Sequence, residues 1–332
     1  MSPPLPAAAF RGPLARAFEA FLAFRQDFAT CHEHLPVALR HLDRFLTQRA
    51  PDAHDLTRPL LDEWMATLAD RAPVTRRNYF RVVRQFCVFC ARADPAAFIP
   101  DASRGPRVTA RFRPYIYSEQ EIRALIAAAA GLSGGLRPHT YVTLLLLLYT
   151  TGLRIGEALR LQLGDLDHDR AVLHIRAGKF RKARLLPITV RTLARLDTYL
   201  EHRRRAGAPT RADAPLFWSP RRRPYSLVGV QRGLSGLLRL VCGKRCGPRG
   251  QGPRVHDLRH AFAVHRLLRW YRDGADVHTK LPLLATYLGH RTFLSTQVYL
   301  AATPELLAEA SRRFHDGFGS VVHLPEDPYD IR

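Results

Sequence analysis

The sequence predicts a mainly helical protein with a small β-sheet, made of a helical first domain and an α+β second domain. Its 332 residues suit two domains of roughly 100 to 200 residues each. Apolar residues recur at helical spacing in the first part of the chain, whereas the second part also contains a pair of strand-like segments. The hydrophobic fraction of 46% is sufficient for each domain to bury a core.

The composition is strongly basic. The chain has 51 Lys and Arg residues against 29 Asp and Glu residues, which gives a formal net charge of +22. A surplus of this size favours a polyanionic partner such as nucleic acid. The chain's apolar runs, such as Leu144 to Tyr149, are far shorter than the ~20 residues that cross a bilayer. The N-terminus lacks the pattern of a secretory signal, so we expect a cytoplasmic, nucleoid-associated protein.

The five cysteines do not form the even, regularly spaced set of a disulfide framework. Two pairs have spacings that loosely resemble metal ligands, Cys87 with Cys90 and Cys242 with Cys246. Cys90 falls on the apolar stripe of a helical pattern with Cys87 beside it, so packing in the core is the better interpretation of the first pair. We therefore expect no metal and no cofactor.

The first domain, residues 1–105, is predicted to be a small bundle of helices. Three apolar stripes precede its last helix, and each stripe places its members on one helical face. The stripes consist of Leu14, Phe18, Phe21, Leu22 and Phe28; of Leu35, Leu39, Leu42 and Leu46; and of Leu60, Leu61, Trp64 and Leu68.

The fourth helix of this bundle is the clearest candidate surface for DNA. Its apolar face carries Tyr79, Val82, Val83, Phe86 and Cys90, and its cationic residues are Arg76, Arg77, Arg81 and Arg84. Arginines on one face of a helix are commonly an ordinary solvated surface. Here no acidic residue lies between Thr75 and Ala93 to pair with them, so contact with phosphates is the favoured interpretation.

A basic linker at residues 106–114 is predicted to separate the helical domain from a second domain at residues 115–332. Helix-breaking residues and arginines dominate this stretch. A capping-box pattern formed by Ser118 and Glu121 then marks the first helix of the second domain.

The second domain contains one predicted β-hairpin. Residues 171–176 and 184–188 form its strands, and the turn that joins them is basic. Helical patterns resume after Thr189, near Ser226 and after Arg254, so helices are expected to surround a small sheet.

Four separated segments carry the residues of a candidate active site. They are TGLRIGEAL with Arg154 and Glu157, the hairpin turn with Lys179, HDLRHAF with His256, Arg259 and His260, and YLGHRTFLSTQVYL with His290 and Tyr299. Gly152 is expected to end one helix, so that Arg154 lies at the start of the next. There, free backbone N–H groups and a guanidinium can bind one phosphate oxygen. His256 and Arg259 are three positions apart and share one side of a helix.

Each segment also has an ordinary structural interpretation. The arginine of the first segment can be a surface residue paired with the glutamate that follows it. Lys179 can join Arg181 and Lys182 in anchoring DNA instead of taking part in catalysis. Tyr299 can be a core residue, and the second histidine of HDLRHAF is expected to support packing rather than chemistry.

In their order along the chain, the four segments resemble the tyrosine recombinase (phage integrase) family over about residues 115 to 305. The resemblance implies a helical core-binding domain of the SAM-like bundle type followed by an α+β catalytic domain, together forming a C-shaped clamp on double-stranded DNA. Within the family, the resemblance is to bacterial transposon-type or integron-like recombinases. Their activity implies integration, excision or transposition of a mobile element.

The resemblance also implies a role for each candidate residue. Tyr299 would form a 3′-phosphotyrosine intermediate, and Lys179 would protonate the leaving 5′ oxygen. The groups that hold the phosphate would be Arg154, His256, Arg259 and His290, with Glu157 and His260 in support. The reaction would need neither metal nor ATP. It would be carried out by a homotetramer on two DNA duplexes, in some cases with companion recombinases or accessory proteins.

Two other functions fit the same fold. One is a type IB topoisomerase-like enzyme that acts on one duplex, and the other is a non-catalytic DNA-binding accessory factor. The TGLR segment and the short helical first domain favour a recombinase over a topoisomerase. The complete set of six catalytic residues argues against an accessory factor.

Overall fold

The structure, a computed structural model, divides the chain into two compact units, Met1–Phe112 (unit 1) and Arg113–Arg332 (unit 2). The residues that it describes are 10–27, 35–107, 114–176, 183–219, 221–243, 252–290, 296, 299, 306–309 and 311–313. Within these ranges, every helix is too short or too polar to cross a membrane.

The described residues of unit 1 form a bundle of four helices. They are α1 (Ala15–Asp27), α2 (Leu35–Arg49), α3 (Arg58–Ala66) and α4 (Pro73–Cys90), followed by a short 3-10 turn at Ala102–Arg104. The predicted apolar stripes meet in one core, in which Phe18, Leu42 and Trp64 are fully buried. The stripe prediction is therefore confirmed, except that Phe28 lies outside the described residues.

Helix α4 has the predicted apolar face, and one of its four arginines is bonded to the main chain. Val83 and Phe86 are buried, as is Cys87, while Cys90 is half-buried against the same core. Arg84, one of the arginines predicted to bind DNA, also bonds to the main chain, and its contact with DNA stays a prediction. Its side chain is half-buried and its Nε donates to the carbonyl oxygen of Pro100 at 3.0 Å, because the chain leaving α4 folds back over it.

Unit 2 surrounds a small antiparallel sheet with helices. The helices are α5 (Glu119–Ala130), α6 (Leu136–Thr151), α7 (Ile155–Ala158), α8 (Val190–Arg205), α9 (Leu227–Cys242), α10 (Asp257–Arg272) and α11 (Val277–Leu288). The strands are β1 (Leu166–Asp167), β2 (Val172–Ile175) and β3 (Arg184–Pro187), in the order β1-β2-β3. The β2–β3 hairpin is confirmed, with Leu173 opposite Leu186. Strand β1 was missed because two residues show no alternation.

Helix α6 is the centre of unit 2. It is apolar on nearly all sides and packs against α5, α8 and α10, so it is buried as a core helix must be. The predicted capping box precedes α5: Ser118 Oγ accepts from the Glu121 N–H at 3.2 Å, and Glu121 Oε2 accepts from the Ser118 N–H at 2.8 Å. The described part of the C-terminal segment includes Leu306, which is buried in a core with α10 and α11.

Gly152 ends α6 as predicted and sets the path of the chain toward the site. Its φ is +63°, a left-handed conformation that L residues with a Cβ rarely adopt. A Cβ at this position would lie 2.6 Å from a ring carbon of Phe262 and 2.7 Å from a methyl carbon of Leu288. Only glycine fits here without displacing the core.

We predict that Gly152→Ala destabilises unit 2 by about 2 to 4 kcal/mol, since backbone strain and overpacking add. The matched control is Gly236→Ala. Gly236 lies within α9, and a Cβ added there would have no described atom within 4 Å, so alanine should leave stability unchanged or raise it. Guanidinium unfolding followed by circular dichroism measures both. Equal stability of the two variants would contradict the packing argument.

Candidate active site

The site is built around a buried carboxylate that two arginines hold. Arg154 lies directly before α7, and both its backbone N–H and its Nη1 donate to Glu157 at 3.0 Å. Arg184, the first residue of β3, donates to both oxygens of the same carboxylate at 3.2 and 3.1 Å. Glu157 is only 5% exposed. Burial opposes its ionisation, but the bonds and charges from Arg184 and Arg154 outweigh burial and lower the pKa of Glu157 to about 2.

Arg184 is a site residue that the sequence analysis missed. Besides its two bonds to Glu157, its Nε donates to the carbonyl oxygen of Tyr287 at 3.1 Å. A Cβ at Gly289 would lie 2.9 Å from its Nη1, so the glycine lets this guanidinium approach the end of α11. Nothing local distinguishes Arg184 from the other basic residues near the hairpin turn, because its partner Glu157 is 27 positions away.

Arg259, on α10, is the most buried arginine of the site, with 2% of its surface exposed. Its Nη1 donates to the carbonyl oxygen of Gly152 at 2.8 Å and its Nη2 to that of Leu288 at 2.7 Å. Burial and the nearby charge of Arg154 lower the pKa of Arg259 to about 10, so it remains charged at neutral pH. Among the described residues, main-chain carbonyl oxygens rather than a carboxylate thus orient this guanidinium.

Tyr299 lies beside these arginines and is 3% exposed. Its Oη is 3.0 Å from Nδ1 of His260. The ring of His290 stacks on the phenol with centroids 6.1 Å apart, and Nδ1 of His290 is 2.7 Å from Oγ1 of Thr296. Burial raises the pKa of Tyr299, while the charge of Arg259 opposes that rise.

His256 lies at the N-terminal end of α10, with its ring centroid 4.9 Å from that of His260. Part of its surface is exposed, but neighbouring atoms crowd its ring. This crowding and the charges of His260 and Arg259 lower the pKa of His256 to about 4. Burial and nearby arginines likewise lower the pKa of His260 to about 4 and that of His290 to about 3. In this state all three rings are neutral at pH 7, so each has one donor and one acceptor nitrogen.

The structure brings five of the six candidate catalytic residues together in unit 2. They are Arg154, His256, Arg259, His290 and Tyr299. The pairing of Arg154 with Glu157, which the sequence left open, is present. Lys179, Arg181 and Lys182 lie outside the described residues. Tyr287 is occupied elsewhere, since its Oη donates to the carbonyl oxygen of Pro187 at 3.1 Å.

The described residues contain no group of three or more His, Cys, Asp or Glu side chains suited to hold a metal ion. The second cysteine pair is not tested in this respect, because Cys246 lies outside them.

We predict that Arg184→Met destabilises unit 2 by about 3 kcal/mol, because it leaves the buried Glu157 carboxylate with one arginine instead of two. Adding Glu157→Gln to this variant should recover part of the lost stability, since the buried carboxylate that has lost one of its two arginines is then replaced by a neutral amide. The stability that Glu157 contributes is fully present above its ordinary pKa of 4.5 and is lost as the pH falls toward 2. Urea unfolding of the two single variants and the double variant measures the coupling.

The control for this cycle is Arg204→Met, since Arg204 forms an exposed ion pair with Glu201. Exposed pairs contribute little, so this variant should unfold like the unmodified chain. If the double variant is less stable than Arg184→Met alone, the buried pair does not account for the role of Arg184.

The sequence of the second unit matches a known family. Residues 116–305 match the profile of the phage integrase family. A Sinorhizobium fredii protein with the name integrase/recombinase y4rB is 38% identical over 87% of this chain and 95% of its own length. Tyrosine recombinase XerD of Caulobacter vibrioides is 30% identical over 82% of this chain and 85% of its own length.

Solved structures share the fold at low sequence identity. The Tn1549 transposon integrase in complex with transposon right end DNA gives a TM-score of 0.65 at 15% identity, over 90% of this chain and 98% of that chain. XerH bound to palindromic difH substrate gives a TM-score of 0.64 at 17% identity, over 85% and 79%. The predicted fold class, mainly α with a small sheet, is confirmed. The chain belongs to the phage integrase family of tyrosine recombinases, site-specific recombinases that cleave and rejoin DNA.

Proposed function

We propose that this chain exchanges DNA strands at specific sites by a covalent route in which Tyr299 is the nucleophile. The observation that carries the proposal is the placement of the Tyr299 phenol beside Arg259, with His260 and His290 on its ring. Attack of Oη on the scissile phosphorus forms a 3′-phosphotyrosine bond and releases a 5′ oxygen. The bond retains the energy of the broken strand, so a 5′ hydroxyl from another duplex can reverse it without ATP.

The arginines are placed to stabilise the transition state. A phosphodiester carries one negative charge, and more charge develops as the attacking oxygen approaches. Arg154 is 28% exposed at its side chain, and its guanidinium and that of Arg259 can donate to the two non-bridging oxygens. The neutral rings of His256 and His290 add donors. These cations would stabilise the negative charge of the transition state, as a metal ion does in other phosphoryl-transfer enzymes.

Lys179 completes the mechanism as the acid that protonates the leaving 5′ oxygen. A flexible stem and a compact charge suit delivery of one proton. The described strands β2 and β3 support this assignment, since Ile175 pairs with Arg184 and Arg184 is bound to the site through Glu157. The residues that flank the hairpin turn therefore lie beside the active site.

The assembly that we propose is a homotetramer on two DNA duplexes. One solved neighbour is a lambda integrase tetramer bound to a Holliday junction, with a TM-score of 0.61 at 17% identity over 86% of this chain and 76% of that chain. Two further neighbours contain transposon end DNA and a difH site. By analogy, we propose that units 1 and 2 clamp double-stranded DNA and that the exchange integrates, excises or transposes a mobile element.

Helix α4 of unit 1 is the proposed DNA-contact surface. Arg81 is exposed, and the Nε atoms of Arg76 and Arg77 are buried without a hydrogen-bond partner among the described residues. A cavity of about 390 Å³ beside the start of α4 is lined by Arg76 and Arg107, and by Arg104, which pairs with Asp62 at 3.1 Å. Arginines that line this open cavity, together with Arg81, would bind phosphates of the DNA backbone.

We predict that Tyr299→Phe abolishes covalent attachment to a nicked suicide duplex while leaving DNA affinity nearly unchanged. The matched control, Tyr287→Phe, should still attach, because the Tyr287 hydroxyl only binds a carbonyl oxygen. Gel analysis of the protein–DNA adduct measures both. Adducts formed by the Tyr299 variant would refute the assignment. Relaxation of a supercoiled circle by single protomers, without exchange between duplexes, would instead indicate a topoisomerase.

We predict that replacing Arg76, Arg77 and Arg81 with alanine weakens DNA binding and lowers the slope of log affinity against log salt by up to about 2.7, the value for three phosphate contacts. Arg204→Ala is the control, since Glu201 already pairs with this arginine. Fluorescence anisotropy at several salt concentrations measures the slopes. An unchanged slope for the triple variant would remove α4 from the DNA interface.

A further inference from the structure

We propose that His260 is the general base that takes the phenol proton of Tyr299 during strand cleavage, and that the nearby carboxylate of Asp257 favours the tautomer of His260 that can accept it. The proposal rests on the function given above, in which Tyr299 is the nucleophile. It assigns catalysis to a histidine that the sequence places only in support.

The contact between His260 and Tyr299 has the geometry of a proton transfer. Nδ1 of His260 and Oη of Tyr299 are 3.0 Å apart, within reach for general base catalysis. The ring centroids are 5.4 Å apart and the rings are inclined at 60°, so the imidazole approaches the hydroxyl with its edge. His290, in contrast, uses Nδ1 for Thr296 at 2.7 Å.

The opposite edge of the His260 ring faces a fixed carboxylate. Nε2 of His260 is 3.9 Å from Oδ1 of Asp257, which is 1% exposed. The Asp257 carboxylate accepts from the Arg254 N–H at 2.9 Å and from Arg254 Nη2 at 3.1 Å. A carboxylate on this side favours the tautomer with a proton on Nε2, which leaves Nδ1 unprotonated and able to accept. It also stabilises the imidazolium that forms once the proton has moved.

The charges around His260 keep the ring neutral in the absence of DNA. Burial, followed by the charges of Arg254 and Arg259, lowers the pKa of His260 to about 4. The titratable and charged groups that face the ring are Arg254, His256, Asp257 and Arg259 from α10 and the segment before it, and His290 and Tyr299 from the segment after α11. A negative phosphate among these cations raises the basicity of the ring. Arrival of the scissile phosphate thus makes His260 a stronger base when one is needed.

The proton and bond changes of the step balance. As Tyr299 Oη forms its bond to phosphorus, the phenol proton moves to Nδ1 of His260. The bond from phosphorus to the 5′ oxygen breaks, and that oxygen takes a proton from Lys179. In rejoining the same steps run backwards, so His260 returns its proton to the departing phenolate and acts as the acid.

The first experiment compares His260→Asn with the unmodified chain in single-turnover adduct formation on a nicked duplex, from about pH 4 to about pH 9. The asparagine amide oxygen can accept a hydrogen bond from the phenol but cannot take its proton. We expect the rate near pH 7 to fall by about 100-fold or more. We also expect the variant rate to rise about tenfold per pH unit, while the unmodified chain reaches a plateau. If His260 only positions Tyr299, the pH profile of the variant should have the same shape as that of the unmodified chain. That result would overturn the proposal.

The second experiment lowers the pKa of the nucleophile by placing a fluorinated tyrosine at position 299. More of the phenol is then ionised, so adduct formation by His260→Asn should be restored at neutral pH. In the chain with His260 intact, the fall in rate toward acidic pH reports protonation of His260. The pH at the midpoint of this fall should therefore be the same with tyrosine and with the fluorinated tyrosine. A midpoint that moves with the phenol pKa, or a lack of rescue, would overturn the proposal. The intact chain keeps this test decisive if His260→Asn does not fold.

Tyr299→Phe separates failure of this proposal from failure of the proposed function. If that variant forms no adduct and His260→Asn behaves like the unmodified chain, only the role of His260 is wrong. If Tyr299→Phe still forms the adduct, the nucleophile assignment fails and the role of His260 fails with it. DNA affinity and thermal unfolding of His260→Asn provide the control for folding.

Discussion

The arginines of the site depend on the buried carboxylate of Glu157. The chain carries a net charge of +22, and Arg154, Arg184 and Arg259 influence one another closely enough to shift the pKa of Arg259. Like charges at short range in a poorly hydrated cleft repel strongly. Glu157 accepts hydrogen bonds from Arg154 and Arg184 on both of its oxygens, and this offsets the repulsion. Its position also joins α7 to β3, so one interaction fixes the helix start and the hairpin together.

Arg259 is stabilised by a different means, and the difference matters for phosphate binding. It donates to carbonyl oxygens at the C-terminal ends of α6 and α11, where the helix dipole places partial negative charge. Both helices end in left-handed glycines, Gly152 and Gly289, which turn the chain away. With the histidines neutral, three arginines and one carboxylate leave a charge of about +2 in the cleft. This surplus suits a phosphodiester whose charge grows from about −1 toward −2 in the transition state.

The sequence predicted features whose cause is local and missed those whose cause is distant. The capping box at Ser118 and the helix end at Gly152 follow from a few adjacent residues. The four motif segments follow from a resemblance that covers most of the second unit. Arg184 was missed because its partner Glu157 lies in another element, and strand alternation does not show which basic residue turns inward. The bond of Arg84 to the main chain of Pro100 was missed for the same reason, since this partner is 16 positions away.

Arginine and histidine have separate tasks in this cleft because their pKa values lie on opposite sides of neutral pH. Burial among cations lowers the pKa of Arg259 only to about 10, so it remains a permanent charge. The same surroundings lower the pKa of His260 to about 4 and that of His290 to about 3, so those rings add no repulsion in the absence of DNA. A bound phosphate raises the pKa of the histidines toward neutral pH, whereas the arginines stay charged throughout. Binding of the substrate and readiness for proton transfer are therefore coupled through the electrostatics of the arginine cluster.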